Sequence, residues 1–165
     1  MKKTILYTLL IALLISVSSF TAYNVYAKKT YKVMVQMKNY HGEGAYLVVS
    51  VLKNDGKYIK SLQLIGDDKE WYDDLLEWWK FQKNIDMKEV DAISGETISG
   101  GERSTFTIHL DEKWINSNYK LRFETAVEEQ KYHKDDLEIP LTTEGLNSKP
   151  EGKGYIRYVR ILEVK

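Results

Sequence analysis

Hydrophobic and polar positions change period several times along the chain, and each change marks an element. In "TYKVMVQM" (30–37), Tyr31, Val33, Val35 and Met37 share one face, the two-residue period of a strand. "GAYLVVSVL" (44–52) is almost continuously apolar, which suits a strand covered on both faces or central in a sheet. Asp55-Gly56 follows, a dipeptide that favours tight hairpin turns. "YIKSLQLIG" (58–66) then returns with Ile59, Leu62, Leu64 and Ile65 available to a core. The stretch 44–66 reads as a β-hairpin.

At Asp67 the period lengthens. "DDKEWYDDLLEWWKF" sets Trp71, Leu75 and Trp78 in one row and Tyr72, Leu76 and Trp79 in the next. Spacings of four and three predict a helix over 69–81, the only substantial one after residue 27, with Asp67 and Glu70 as its capping box. It would lie across a sheet face or close one end of a sandwich.

Strand periods resume after a polar stretch. "STFTIHL" (104–110) puts Phe106, Ile108 and Leu110 on one side. "NYKLRFETAVEE" (118–129) sets Tyr119, Leu121, Phe123, Thr125 and Val127 against Lys120, Arg122, Glu124 and Ala126. "LEIPL" (137–141), with Pro140, suits an edge or a strand end, and "GYIRYVRILEV" (154–164) completes the set. Seven short strands and one helical insertion predict a mainly β fold. Its form is an antiparallel, immunoglobulin-like β-sandwich with one short Trp-rich helix. The expected core is Val33, Val35, Leu47, Val49, Leu62, Leu64, Phe106, Ile108, Leu121, Phe123 and Ile161.

The N-terminus follows a different logic. Lys2 and Lys3 precede an apolar run from Ile5 to Val17, and small residues lead to Val25-Tyr26-Ala27. That order is the charged, apolar and cleavage-site pattern of a secretory signal. Residues 1–27 are therefore read as a signal peptide or an uncleaved anchor helix, and 28–165 as a single β-sandwich domain. The expected location is the periplasm or the outer face of the cytoplasmic membrane. Membrane contact is expected only through the N-terminal segment if it is retained.

Charge and composition narrow the function. Without Lys2 and Lys3, two of the 24 basic residues leave and the 24 acidic ones remain, so no basic excess serves nucleic acid. The absence of cysteine removes disulfides, thiol nucleophiles and Cys-ligated metals together. His41, His109 and His133 lack metal-ligand spacing and are read as solvent-facing. The pairs Asp67-Asp68, Asp73-Asp74, Glu128-Glu129 and Asp135-Asp136 read more simply as solvated faces than as a two-carboxylate site. No serine sits in a G-x-S-x-G elbow. The three tryptophans of the helix are read as core.

One segment offers a hydroxyl on a bend. In "VDAISGETISGG" (90–101), Gly95 permits a left-handed turn, and Asp91 and Ser94 can bond nearby backbone amides. Thr97 can then be held outward for modification. From composition alone, 91–101 is a long loop leading into the next strand.

The order of pieces "GKYIKSLQLIG", "WYDDLLEWW", "VDAISGET" and "YKLRFETAVEE" resembles domain-of-unknown-function family 2271, a family of predicted periplasmic proteins. Its most specific parts here are the hairpin-helix-loop block and the pattern of Tyr119, Leu121 and Glu124. The resemblance implies one β-rich extracytoplasmic domain, found beside PepSY-type membrane proteins and redox systems. Within it, "DAISGET" is similar to the motif Asp-x-x-Ser/Thr-Gly-Ala-Thr/Ser, on which exported flavin transferases attach flavin mononucleotide (FMN). Asp91, Ser94, Gly95 and Thr97 match, and Thr97 stands at the position that is esterified. Glu96 replaces the usual small Ala and sets a carboxylate beside an incoming phosphate.

The motif implies covalent FMN, extracytoplasmic electron transfer, and two partners: an exported flavin transferase and a membrane redox protein. The chain is not read as an enzyme by itself. The competing expectation is a cofactor-free binding module of the cell envelope.

Overall fold

Every residue from Tyr46 to Leu52 is buried, as a strand covered on both faces requires. The computed structural model describes residues 27–164, so the signal or anchor read over 1–27 lies outside the described residues apart from Ala27. Eight strands are formed: β1 (Lys28–Met37), β2 (Tyr46–Lys53), β3 (Tyr58–Ile65), β4 (Ile93–Ser94), β5 (Arg103–Asp111), β6 (Tyr119–Ala126), β7 (His133–Pro140) and β8 (Ile156–Glu163). They make a three-stranded sheet of order β5-β1-β8 and a five-stranded sheet of order β4-β3-β2-β6-β7. Pairing is antiparallel except at β4, which runs parallel to β3 for two residues.

The mainly β, two-sheet fold expected from the periods is the observed one. One core cluster draws on both sheets: Val33, Val35, Ile108 and Ile161 from one, and Leu47, Val49, Leu62, Leu121 and Phe123 from the other. Phe106 differs from the expected core and is half-buried at its margin, because β5 is an edge strand with less cover. The β2–β3 hairpin turns at Gly56, whose φ of 91° lies in the left-handed region that glycine tolerates. Pro140 ends β7, an edge strand.

The Trp-rich segment covers the outer face of the five-stranded sheet. It is two pieces, a 3₁₀ turn (Lys69–Asp74) and helix α1 (Leu76–Gln82), meeting at Leu75 with ψ 59°. A second helix, α2 (Thr143–Leu146), is a single turn. The cap is Asp68, not Asp67: the Asp68 carboxylate accepts the Glu70 amide at 3.1 Å. The buried row is also different from the expected one. Tyr72, Leu75 and Trp78 face inward, Trp71 and Trp79 are half-buried, and Leu76 is 54% exposed. A 3₁₀ turn has three residues per turn, so the inward row runs at a spacing of three. Against it pack Tyr46, Val48, Leu64, Val90 and Ala126, a second core on the far side of the sheet.

Candidate functional site

The motif loop lies along the edge of β3. Its main chain bonds there repeatedly: Asp91 N donates to Ser61 O at 3.3 Å, Leu64 N to Ala92 O at 2.9 Å, and Gly66 N to Ser94 O at 2.9 Å. Asp67 N donates to Gly95 O at 3.1 Å. These bonds make Ile93–Ser94 a short strand, which no side-chain period announces. Side chains add two anchors. Lys60 Nζ meets Asp91 Oδ1 at 2.6 Å, and Gln63 Nε2 donates to Ser94 Oγ at 2.9 Å.

Beyond Ser94 the chain leaves the five-stranded sheet for β5 in the other one. Gly95 and Glu96 form the exposed apex of this crossover. Gly95 does not take the left-handed turn expected of it, since its carbonyl is held by Asp67 N; the left-handed glycine of this segment is Gly101, with φ 79°. Thr97, expected to be held outward, is instead half-buried: a β-carbon on Gly44 would overlap its Oγ1, so the hydroxyl lies against the Gly44 main chain because Ile98 beside it pairs with Ala45. Ile98 is buried and pairs with Ala45 through bonds of 2.8 and 3.0 Å. The Tyr40 hydroxyl accepts the Ala45 amide at 2.8 Å and donates to Ile98 O. Burial pushes that phenol up to about 12, so it stays a donor at physiological pH.

Gly100 and Gly101 do not loosen the loop. A β-carbon at Gly100 would overlap the Tyr40 carbonyl, and Gly101 N donates to Lys38 O at 2.9 Å. Exposure, by contrast, is greatest at Gly95 and Glu96, between the Gly95 carbonyl bonded to Asp67 and Thr97 packed on Gly44. Asp91, Ser94, Gly95 and Thr97 therefore share one short segment, with the first two fixed and the last two flanking the exposed turn.

A second group of polar residues sits beneath the Trp-bearing segment. Glu124, on β6, is fully buried and accepts hydrogen bonds from the Tyr58 hydroxyl at 2.5 Å and from the Tyr132 hydroxyl. Desolvation pushes its carboxyl up to about 7, although the two phenols and Arg122 favour its charged form. Arg122 bonds Glu138 at 2.7 Å, and its guanidinium carbon lies 5.6 Å from the centre of the Tyr58 ring. Tyr58 stacks on Phe81 at 5.2 Å between centroids.

The strand period places Glu124 on the outward phase of β6 but cannot show that a helical layer covers that phase. The available signal was a broad aromatic helix following the hairpin, which had to lie on some sheet face. A carboxyl with no exposed surface cannot meet a substrate in this conformation, so this group supports the layer and is not a reaction centre.

The histidines lie apart. His41 and His109 are exposed, and His133 is half-buried with its ring edge-on to Tyr155 at 5.0 Å. Among the described residues no group of three or more His, Asp or Glu could hold a metal ion. Asp136, expected on a solvated face, is instead buried. Its carboxylate accepts Thr125 Oγ1 at 2.6 Å and the amides of Gly154 and Ile156 at 2.6 and 3.0 Å. It fastens the approach to β8.

A family model described as predicted periplasmic protein (DUF2271) matches residues 28–158, a span that contains both the motif loop and the Glu124 cluster. No curated protein and no solved structure matches the chain. With the model covering most of its length, the chain belongs to this family of predicted periplasmic proteins, and its placement is an exported one.

Proposed function

We propose that this exported domain carries FMN esterified to Thr97 and exchanges electrons with a membrane redox protein. The observation that supports the reading is the disposition of the motif. Asp91 and Ser94 are fixed to β3, Gly95 and Glu96 are exposed, and Thr97 follows directly on that turn. Attachment replaces a hydroxyl with a charged phosphodiester, which is tolerable only where water or polar groups can reach it. The apex meets that requirement once Thr97 turns its hydroxyl from Gly44 toward solvent, a change between staggered rotamers.

Each residue then has a role. Thr97 supplies the ester oxygen: its hydroxyl gives up a proton and bonds the flavin-side phosphorus of a flavin adenine dinucleotide donor held by the transferase, the pyrophosphate bond breaks, and adenosine monophosphate leaves. Gly95 supplies the bend, and Asp91 and Ser94 the fixed base on which the turn stands. Glu96 opposes the reaction, since its carboxylate adjoins the incoming phosphate. When bound, the isoalloxazine ring supplies the redox chemistry and the protein supplies its position.

The test is co-expression with an active exported flavin transferase. The expected product is a yellow protein whose intact mass exceeds the apoprotein by one esterified FMN. An unmodified mass, with the same transferase modifying a known substrate in parallel, would defeat the proposal.

A further inference from the structure

The outer face of the three-stranded sheet carries a different chemistry from the rest of the chain. Lys32 stands opposite Leu162, and Met34 opposite Arg160, in the β1–β8 register. On the other side Met34 faces Thr105, and Gln36 faces Arg103. A shallow cleft lined by Lys32, Met34, Arg103, Thr105, Arg160 and Leu162 results. Leu162 is 61% exposed, the most exposed large hydrophobic side chain among the described residues.

Cations surround this apolar strip. Besides Lys32, Arg103 and Arg160, Lys149 Nζ lies 3.9 Å from the centre of the Tyr158 ring, at the end of the same face. Carboxylates lie at both margins of the strip: Glu102 adjoins Arg103 and accepts the Ser99 amide at 3.3 Å, and two more are held in ion pairs. Asp111 lies 3.2 Å from Lys113, and Glu163 lies 3.0 Å from Lys29. In a chain with 24 basic and 24 acidic residues, a face this poor in acid leaves the remaining surface correspondingly acidic.

We infer that this face docks the domain on an anionic phospholipid surface. Lysine and arginine would meet lipid phosphates, while Met34 and Leu162 enter the headgroup layer, the division of labour of interfacial membrane binding. The charge balance of the whole chain argues against nucleic acid as the occupant, because the acidic remainder would repel a long polyanion. The exported placement sets the face within reach of a membrane leaflet. This inference is independent of the flavin proposal.

The chain has no cysteine, so single-cysteine labelling reports each face separately. An environment-sensitive fluorophore is placed on Thr107→Cys, exposed on β5, and in a second protein on Leu76→Cys, exposed on α1. Each full chain is titrated with vesicles of phosphatidylcholine, with or without phosphatidylglycerol. The label at 107 should shift to shorter wavelength only with phosphatidylglycerol, and the effect should fade with added salt. The label at 76 should stay silent. Lys32→Glu with Arg160→Glu should weaken the response by about tenfold or more without changing circular dichroism.

Insertion of the apolar N-terminal run would instead appear on both vesicle types and survive the charge reversal. That pattern alone, equal shifts at both labels, an unchanged double variant, or an equal response to poly-glutamate would overturn the inference.

Discussion

The indole N–H of Trp78 donates to Ser61 Oγ at 2.9 Å, and the same hydroxyl donates to Gln82 Oε1 at 2.8 Å. One buried serine on β3 thus couples to two residues a turn apart on α1. Trp78→Ala should cost about 3–5 kcal/mol, the usual penalty for emptying a buried aromatic site. Ser61→Ala should cost about 1–3 kcal/mol, since it strands the indole N–H and the Gln82 carbonyl without partners. Urea unfolding followed by circular dichroism measures both. A Trp78→Ala midpoint equal to the parent's would mean that the helical layer contributes no core.

Glu124 makes stability depend on pH. Its ordinary value is 4.5, and burial raises it to about 7 in the fold. Between those values the folded chain binds more protons than the unfolded one, so stability falls as pH rises and the loss is complete above about 7. The size is about 3 kcal/mol. His133 works in the opposite direction, because burial lowers its value and favours the neutral ring. Glu124→Gln isolates the carboxylate from that background. The difference between variant and parent should grow from pH 5 to pH 8, and a constant difference would refute the assignment.

Ser50 Oγ is buried on β2 with no hydrogen-bond partner among the described residues. Ser50→Ala removes that unsatisfied hydroxyl and leaves a gap of one atom. The expected result is a gain of about 1 kcal/mol, the reverse of stranding a buried polar group. A loss of similar size in thermal unfolding would show that the hydroxyl has a bonded partner after all.

For the flavin proposal the informative variants are conservative. Thr97→Ser retains a hydroxyl and should still become yellow, whereas Thr97→Ala should remain colourless and folded. Glu96→Ala should raise the modified fraction, since it removes a negative charge beside the phosphate. Intact mass quantifies all three. Modification that persists in Thr97→Ala would move the attachment elsewhere.

The strands were legible because their side chains obey a two-residue period and each has one or two buried faces. Leu47, Val49 and Leu121 needed no tertiary information. What failed to show was set by the type of helical turn or by neighbours far along the chain. The inward row Tyr72, Leu75 and Trp78 depends on a 3₁₀ turn that the four-and-three spacing does not distinguish from α-helix. Glu124 looked outward because a strand reveals which side a residue faces and not what covers that side. At the motif, residue identities could be recognised by resemblance. Its anchors, Lys60 to Asp91 and Gln63 to Ser94, join segments some thirty residues apart and have no local signature.

The run of backbone bonds from 91 to 95 has a consequence for association. A strand at the margin of a sheet offers unpaired amides and carbonyls to any passing chain, and proteins guard such margins. Here the guard of β3 is the motif segment itself, through Ala92, Ser94 and Gly95. Any motion that pulls that segment away also uncovers Leu64 and Gly66. A chain caught in that state is a template for a second copy's strand, so incomplete release should surface as dimers or aggregates that disappear when the segment closes again.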